Sequence, residues 1–146
     1  MDKDKMEKVA PCGYYCEGCP SYVNTICTDE VVFDNEAKRA NVSVKDVKKC
    51  QGCRASRGEP HAMLCPTYDC CVNQRGLNFC YECDDFPCLK LAPISQGAAV
   101  RRHNSKIYNL LMLKKLGIDE YTKKGEWWAL LYARGKSPVP GGDVQI

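Results

Sequence analysis

The chain has 146 residues, twelve of them cysteine, and a formal net charge of +3. This length suits one domain that buries its own core without crosslinks. No apolar run is long enough to span a bilayer, and the charged start, "MDKDKMEKVA", lacks the apolar region of a secretory signal. We therefore expect no membrane association and a cytoplasmic location.

The cysteine content, about 8% of the residues, approaches that of disulfide scaffolds. In the cytoplasm thiols stay reduced, so the pattern indicates metal first and disulfides second. The net charge is weak support for nucleic-acid binding, because lysines and arginines are scattered among acids. Two divalent ions with four thiolates each would also bring the charge from +3 to about −1. No nucleic-acid partner is expected.

The first cysteine group lies in "PCGYYCEGCPSY", with a C-x3-C-x2-C spacing. A C-x2-C turn lets two sulfurs approach one ion while backbone amides point at them, and two such turns complete a tetrahedral zinc site. Cys12, Cys16 and Cys19 need a further ligand. The candidates are Cys27, the pair Cys50 and Cys53, Cys88 and, as nitrogen ligands, His61 and His103, although each histidine alone is more simply a surface residue.

Three helices are predicted in this cysteine-rich part, and the third is "PCLKLA", which starts at Pro87 and ends at Pro93. The first has Thr28 or Asp29 as its N-cap and Asn41 as a left-handed stop. The second is "PTYDCCVNQRG", with Pro66 in its first turn and Gly76 just past its end.

A second site is available from Cys80, Cys83 and Cys88, joined by Cys65, Cys70 or Cys71. Adjacent cysteines make a strained disulfide, and on a helix their side chains diverge by about 100°. We therefore expect one of Cys70 and Cys71 to be a ligand and the other to pack as a small apolar residue. Cys27 is most simply a buried or free thiol.

The chain changes character after about Ser95, because no cysteine follows Cys88. A long helix is predicted to end at Gly117, and a second contains Trp127 and Trp128, whose expected role is packing. We predict a cysteine-rich region over 1–93, a helical hairpin packed on it over 94–136 and a loose tail over 137–146. The expected fold is mainly α with irregular, metal-stabilised, zinc-knuckle-like loops; a small α+β arrangement is the alternative.

The metal expected is Zn²⁺, with a [4Fe–4S] cluster as the alternative. The C-x3-C-x2-C spacing also matches the triad of radical S-adenosylmethionine enzymes, but this chain lacks the length and the strand–helix alternation of their barrel. The run of cysteines typical of ferredoxins is absent too. Three functions stay open: an interaction module with a protein partner, an iron–sulfur electron carrier or redox sensor, and a thiol-dependent enzyme using Cys12.

The segments "CGYYCEGCPSY", "CQGC" and "CVNQRGLNFCYECDDFPCLKL" resemble the domain of unknown function 3795 family of small prokaryotic proteins. The resemblance runs from Cys12 to about Leu91. Beyond it the chain keeps a tryptophan but lacks the cysteine pair that many members carry there. The resemblance implies metal binding by pattern and supplies no reaction. The matching cysteines are Cys12, Cys16, Cys19, Cys50, Cys53, Cys65, Cys71, Cys80, Cys83 and Cys88.

Overall fold

Helices and irregular loops make up the part of the chain that the computed structural model describes, which is residues 2–48, 50–59, 63–91 and 105–128. Its α-helices are α1 (Lys3–Glu7), α2 (Glu30–Ala40), α3 (Pro66–Tyr68) and α4 (Lys106–Lys123). Short 3₁₀ turns lie at Cys16–Gly18, Val44–Asp46, Cys80–Glu82 and Leu89–Leu91. Within these ranges there is no β-strand, only isolated bridges. The mainly helical prediction is confirmed for the described residues, and they give no support to the α+β alternative.

Helix α2 begins and ends where its sequence predicts. The Asp29 carboxylate accepts hydrogen bonds from the backbone N–H groups of Val31 (3.1 Å) and Val32 (3.4 Å), so Asp29 and not Thr28 is the N-cap. Asn41 closes the helix in the left-handed conformation, with φ 53°. The helix packs Phe33 and Ala37 on a small apolar cluster.

Helix α3 begins at Pro66 as predicted, but it does not continue as an α-helix. After Tyr68 the chain widens into a π-helical turn over Asp69–Gln74, which contains both adjacent cysteines. Gly76 follows with φ 66° and ends the turn. A π-turn accommodates one extra residue per turn, so the predicted regular helix is wrong from Asp69 onward.

Helix α4 carries one side of the main apolar core. Its inner face buries Leu110, Leu113 and Tyr121, and the chain beyond it buries Trp128. The Trp128 ring stacks on Tyr121 with centroids 4.4 Å apart, and its indole N–H donates to the Tyr121 carbonyl at 2.7 Å. Backbone angles leave the helical region at Gly117 (φ 75°), which confirms the predicted break there. The prediction that the two tryptophans pack holds for Trp128, whereas Trp127 is 38% exposed.

The loop that holds the first cysteines is fixed to α4 through Gly13. The Gly13 carbonyl accepts hydrogen bonds from the Asn109 amide (3.1 Å) and the Tyr121 hydroxyl (2.8 Å). Gly13 has φ 86°, and a Cβ there would lie 3.0 Å from Leu110 Cγ. Only glycine suits this approach, which places Cys12 directly against the core.

Several predictions fall on residues outside the described ranges: the roles of His61 and His103, the start of the long helix, the end of the second helix and the tail over 137–146. The boundaries at 93/94 and 136/137 and the hairpin arrangement stay predictions. None of the helices described is long and apolar enough to cross a bilayer. The cytoplasmic location stays a prediction as well.

Candidate metal centres

The twelve cysteines form no disulfide, and the fold gathers most of them into two groups. Six cysteines lie near one another around Cys16 and Cys53, and we call them the first thiol cluster. Five others line one cavity, and we call them the second thiol cluster. The first consists of Cys12, Cys16, Cys19, Cys50, Cys53 and Cys65. The second consists of Cys70, Cys71, Cys80, Cys83 and Cys88.

Cys27 lies apart from both clusters. It is half-buried and packs against the small apolar cluster of Phe33, Ala37 and Val47. Its position agrees with the expectation of a buried thiol, and the thiol clusters do not include it.

The first thiol cluster is assembled by backbone hydrogen bonds between distant segments. Tyr22 and Cys50 form a parallel bridge, in which the Cys50 N–H donates to the Ser21 carbonyl (2.8 Å) and the Val23 N–H donates to the Cys50 carbonyl (2.9 Å). This bridge places the turn that follows Cys50 beside the turn Cys16–Gly18. Two C-x2-C turns far apart in sequence therefore become neighbours.

Backbone amides point at the sulfurs of this cluster. The Gly52 N–H donates to Cys50 Sγ at 3.3 Å, and the Cys53 N–H donates to the Cys16 sulfur. Gly52 adopts φ 94°, and a Cβ at this position would lie 3.7 Å from Cys16 Sγ and 3.3 Å from the Tyr22 ring. The turn thus needs glycine, and its amides are arranged as in thiolate-binding knuckles.

Burial raises the thiol pKa of Cys16 and Cys53 and so controls their protonation. It raises the pKa of Cys16 from 9.0 to about 12, and the neighbouring thiols of Cys19, Cys12 and Cys50 raise that pKa further. Burial likewise raises the pKa of Cys53, with smaller contributions from other thiols of the cluster. Without a cation these groups are neutral thiols, and an ion that binds here must displace their protons.

Cys12 is the member of the first cluster whose thiol also lies near the second cluster. Its thiol is near those of Cys65 and Cys16 in the first cluster and that of Cys80 in the second. Burial raises the pKa of Cys12, although the Tyr14 N–H and the Lys106 ammonium oppose this. A cysteine nucleophile needs the opposite shift, so its surroundings do not favour the thiol-enzyme hypothesis.

The second thiol cluster surrounds a cavity of about 320 Å³. Apolar side chains, Leu77, Phe86 and Leu89, form much of the remaining wall. The Arg75 guanidinium enters from one side: its Nη1 donates to Cys83 Sγ at 2.8 Å and its Nη2 pairs with the Asp85 carboxylate. The site therefore combines thiols, an apolar wall and a fixed cation.

Within this cluster Cys71 and Cys80 are paired. Cys71 is buried and donates to the Leu77 carbonyl at 3.6 Å, and a hydrogen bond from the Cys80 thiol lowers the pKa of Cys71 and raises that of Cys80. Cys70 is half-buried and also lines the cavity. Both adjacent cysteines thus line the cavity, and the expectation that one of them is a ligand while the other packs stays a prediction.

No three histidine, cysteine, aspartate or glutamate side chains within the described ranges stand together as ligands of one metal ion. Ligation by the ten predicted cysteines thus stays a prediction. The structure brings together Cys16, Cys19, Cys50 and Cys53, and separately Cys71, Cys80, Cys83 and Cys88.

Two arginines at these clusters have no signal in the sequence. Arg54 follows Cys53 and donates through Nε to the Val9 carbonyl (3.0 Å) and through Nη2 to the Asn78 carbonyl (2.6 Å). Arg75 contacts Cys83 as described above. The Arg54 contacts join residues that are distant in sequence, and the Arg75 contact depends on the π-turn. No local spacing could therefore have predicted them.

These features define a small, mainly helical, cysteine-rich protein with two thiol clusters. A family model matches residues 8–93, more than half of the chain and the whole cysteine-bearing part. The chain belongs to this family, described as protein of unknown function (DUF3795), as the resemblance implied. No curated protein and no solved structure matches the chain.

Proposed function

We propose that the chain is a metal-binding protein in which Cys16, Cys19, Cys50 and Cys53 hold one structural zinc ion. The observation that carries this proposal is the Tyr22–Cys50 bridge, which places two C-x2-C turns side by side. Amide groups already point at the sulfurs of Cys16 and Cys50. Paired knuckles of this kind are the usual donors of tetrahedral four-cysteine zinc sites.

Zinc suits the chemistry of these four thiols. A divalent ion compensates the charge that burial otherwise excludes, and it binds the thiols as thiolates after loss of their protons. A structural zinc site contributes about 10–16 kcal/mol of binding free energy near neutral pH. That contribution is large enough to hold loops that share only isolated bridges.

The role supported by such a scaffold is interaction with a protein partner. The loops held by the clusters expose apolar side chains, with Met63 77% and Leu89 92% accessible. Exposed apolar groups beside a rigid centre are the feature by which small domains recognise other proteins. Zinc would then serve recognition by fixing the shape of the loops.

Zinc content per chain tests this proposal, measured by elemental analysis on protein purified without added metal. We expect zinc at the knuckles, its loss in Cys19→Ser and in Cys50→Ser, and its retention in the control Cys27→Ser. Since Cys12 and Cys65 lie outside the proposed quartet, Cys12→Ser and Cys65→Ser should keep the knuckle zinc. The proposal is wrong if both knuckle variants retain the wild-type zinc content.

A further inference from the structure

We propose that the second thiol cluster binds a [4Fe–4S] cluster through Cys71, Cys80, Cys83 and Cys88. The site is separate from the proposed zinc knuckles, so the inference goes beyond the proposed function and does not depend on it.

The arrangement of the thiols indicates a polynuclear ligand. They line the wall of one cavity. The cavity measures about 320 Å³, at the lower end of the roughly 300–1,000 Å³ of small-molecule sites. Four cysteine thiolates are the usual ligands of a [4Fe–4S] cluster, which occupies more space than a single ion.

The backbone is adapted to present these thiols. The π-turn Asp69–Gln74 inserts an extra residue where Cys70 and Cys71 lie, and π-turns of this kind are frequent at functional sites. The 3₁₀ turn Cys80–Glu82 presents Cys80 and then Cys83 to the same cavity. Three short segments thus supply ligands to one space, with Cys70 as a fifth thiol beside it.

The charges and the wall also match the ligand. An oxidised [4Fe–4S]²⁺ core with four thiolates carries net −2, which Arg75 and Lys90 at the cavity partly compensate. Asp85 is the acidic neighbour, and it pairs with the Arg75 guanidinium. The guanidinium donates to Cys83 Sγ, and hydrogen bonds to ligand sulfurs tune the reduction potential of such clusters.

Loading from a preformed cluster requires no change of oxidation state. A synthetic [4Fe–4S]²⁺ cluster capped by four small thiolates exchanges them for the four protein thiols. Four iron–sulfur bonds to the small ligands break and four to the protein form, and the four protons of the protein thiols leave with the small thiols. The probe is therefore this thiolate-capped cluster, added without oxygen.

The test measures iron, acid-labile sulfide and visible absorbance per chain after removal of unbound cluster. Wild type should retain about four irons and four sulfides, and Cys83→Ser and Cys88→Ser should lose most of this loading. Cys27→Ser is the control and should load as wild type does. Far-ultraviolet circular dichroism identifies the variants that fold like wild type, and only these are compared.

The inference is overturned if folded wild type retains no cluster, or if Cys83→Ser and Cys88→Ser load as fully as Cys27→Ser. Zinc measured on the same samples separates the two proposals. Zinc at the knuckles without cluster loading overturns only this inference, and cluster loading without knuckle zinc overturns only the proposed function.

A second measurement addresses Arg75 as a positioning residue. In Arg75→Leu we expect a cluster that still forms but has a lower reduction potential, because a hydrogen bond and a positive charge are lost near Cys83. Arg75→Lys, which keeps the charge, should show a smaller shift. An unchanged potential in Arg75→Leu would contradict ligation by Cys83.

Discussion

The two thiol clusters differ in the groups that contact their sulfurs, which are backbone amides in the first and a side chain in the second. In the first, the sulfurs accept hydrogen bonds from backbone amides, such as Gly52 N–H to Cys50 Sγ at 3.3 Å, and a bridge at Tyr22 fixes the segments. In the second, the sulfurs face a cavity and a side chain, the Arg75 guanidinium at 2.8 Å from Cys83 Sγ. Backbone contacts suit a closed structural site. A cavity leaves room for a larger group, and a side chain such as Arg75 can adjust the reduction potential of that group.

Both clusters touch the main apolar core, but they do so differently. The first is joined to α4 through Gly13, whose carbonyl accepts two hydrogen bonds from that helix. The second packs Cys80 and Cys88 against the core, while Leu89 on its outer side is 92% exposed. A disturbance at the Gly13 attachment should therefore reach the whole fold, while a disturbance on the outer side of the second cluster should stay local. Substitutions at each cluster test this difference.

The largest effect expected is a loss of stability of the metal-free protein at alkaline pH. The pKa of Cys16 is 9.0 ordinarily and about 12 in the fold, so between these values the folded state binds more protons than the unfolded state. Stability from this group is present below pH 9 and is lost as the pH rises toward 12. The loss reaches on the order of 4 kcal/mol.

Urea unfolding at a series of pH values checks this slope. Lysines and tyrosines titrate in the same range, so the informative quantity is the difference between wild type and Cys16→Ala, with Cys27→Ala as the control. We expect the slope to flatten only in Cys16→Ala. An equal slope in all three proteins would show that the first cluster does not bury its thiols as described.

A smaller effect is expected from glycines next to each cluster. In Gly13→Ala the new Cβ lies 3.0 Å from Leu110 Cγ and 3.1 Å from Leu110 N, at φ 86°. Strain and overpacking together should destabilise the fold by about 2–4 kcal/mol. Gly76→Ala, at φ 66° with no atom of the described residues within 4 Å, should cost only about 1 kcal/mol.

Thermal unfolding of the two alanine variants gives the comparison directly. If Gly76→Ala destabilises as much as Gly13→Ala, the outer turn of the second cluster is not peripheral, and the contrast between the Gly13 attachment and this outer turn is wrong.

Local signals in the sequence predicted much of the described fold, whereas the sequence left open which cysteines belong together. Asp29 caps the start of α2, Asn41 ends it in the left-handed conformation, and Gly117 breaks α4. The C-x2-C spacing marks the turns. The π-turn at Asp69 was not predicted, because its extra residue per turn leaves no mark in the residue types from which a helix is predicted. Which turn meets which depends on long-range contacts such as the Tyr22–Cys50 bridge, and spacing carries no information on these.

The smallest effect concerns Arg54, the side chain that links the two clusters. It leaves the turn after Cys53 and donates to the Asn78 carbonyl, close to Cys80, and its guanidinium lies 5.0 Å from the Phe79 ring centroid. Arg54→Lys keeps the charge but loses the planar guanidinium with its several N–H donors. We therefore expect the free energy of unfolding to fall by about 1–2 kcal/mol. Arg57→Lys, three residues further on at an exposed position, is the matched control and should be nearly neutral.

Urea unfolding of Arg54→Lys reports both the loss and its cooperativity. An unchanged m-value with a lower midpoint would mean that the two clusters still unfold as one unit without the guanidinium, because m follows the surface exposed in the transition. A reduced m-value or two transitions would mean that Arg54 is what couples them. Stability equal to that of Arg57→Lys would contradict the linking role and leave the Gly13 contacts with α4 as the support for the first cluster.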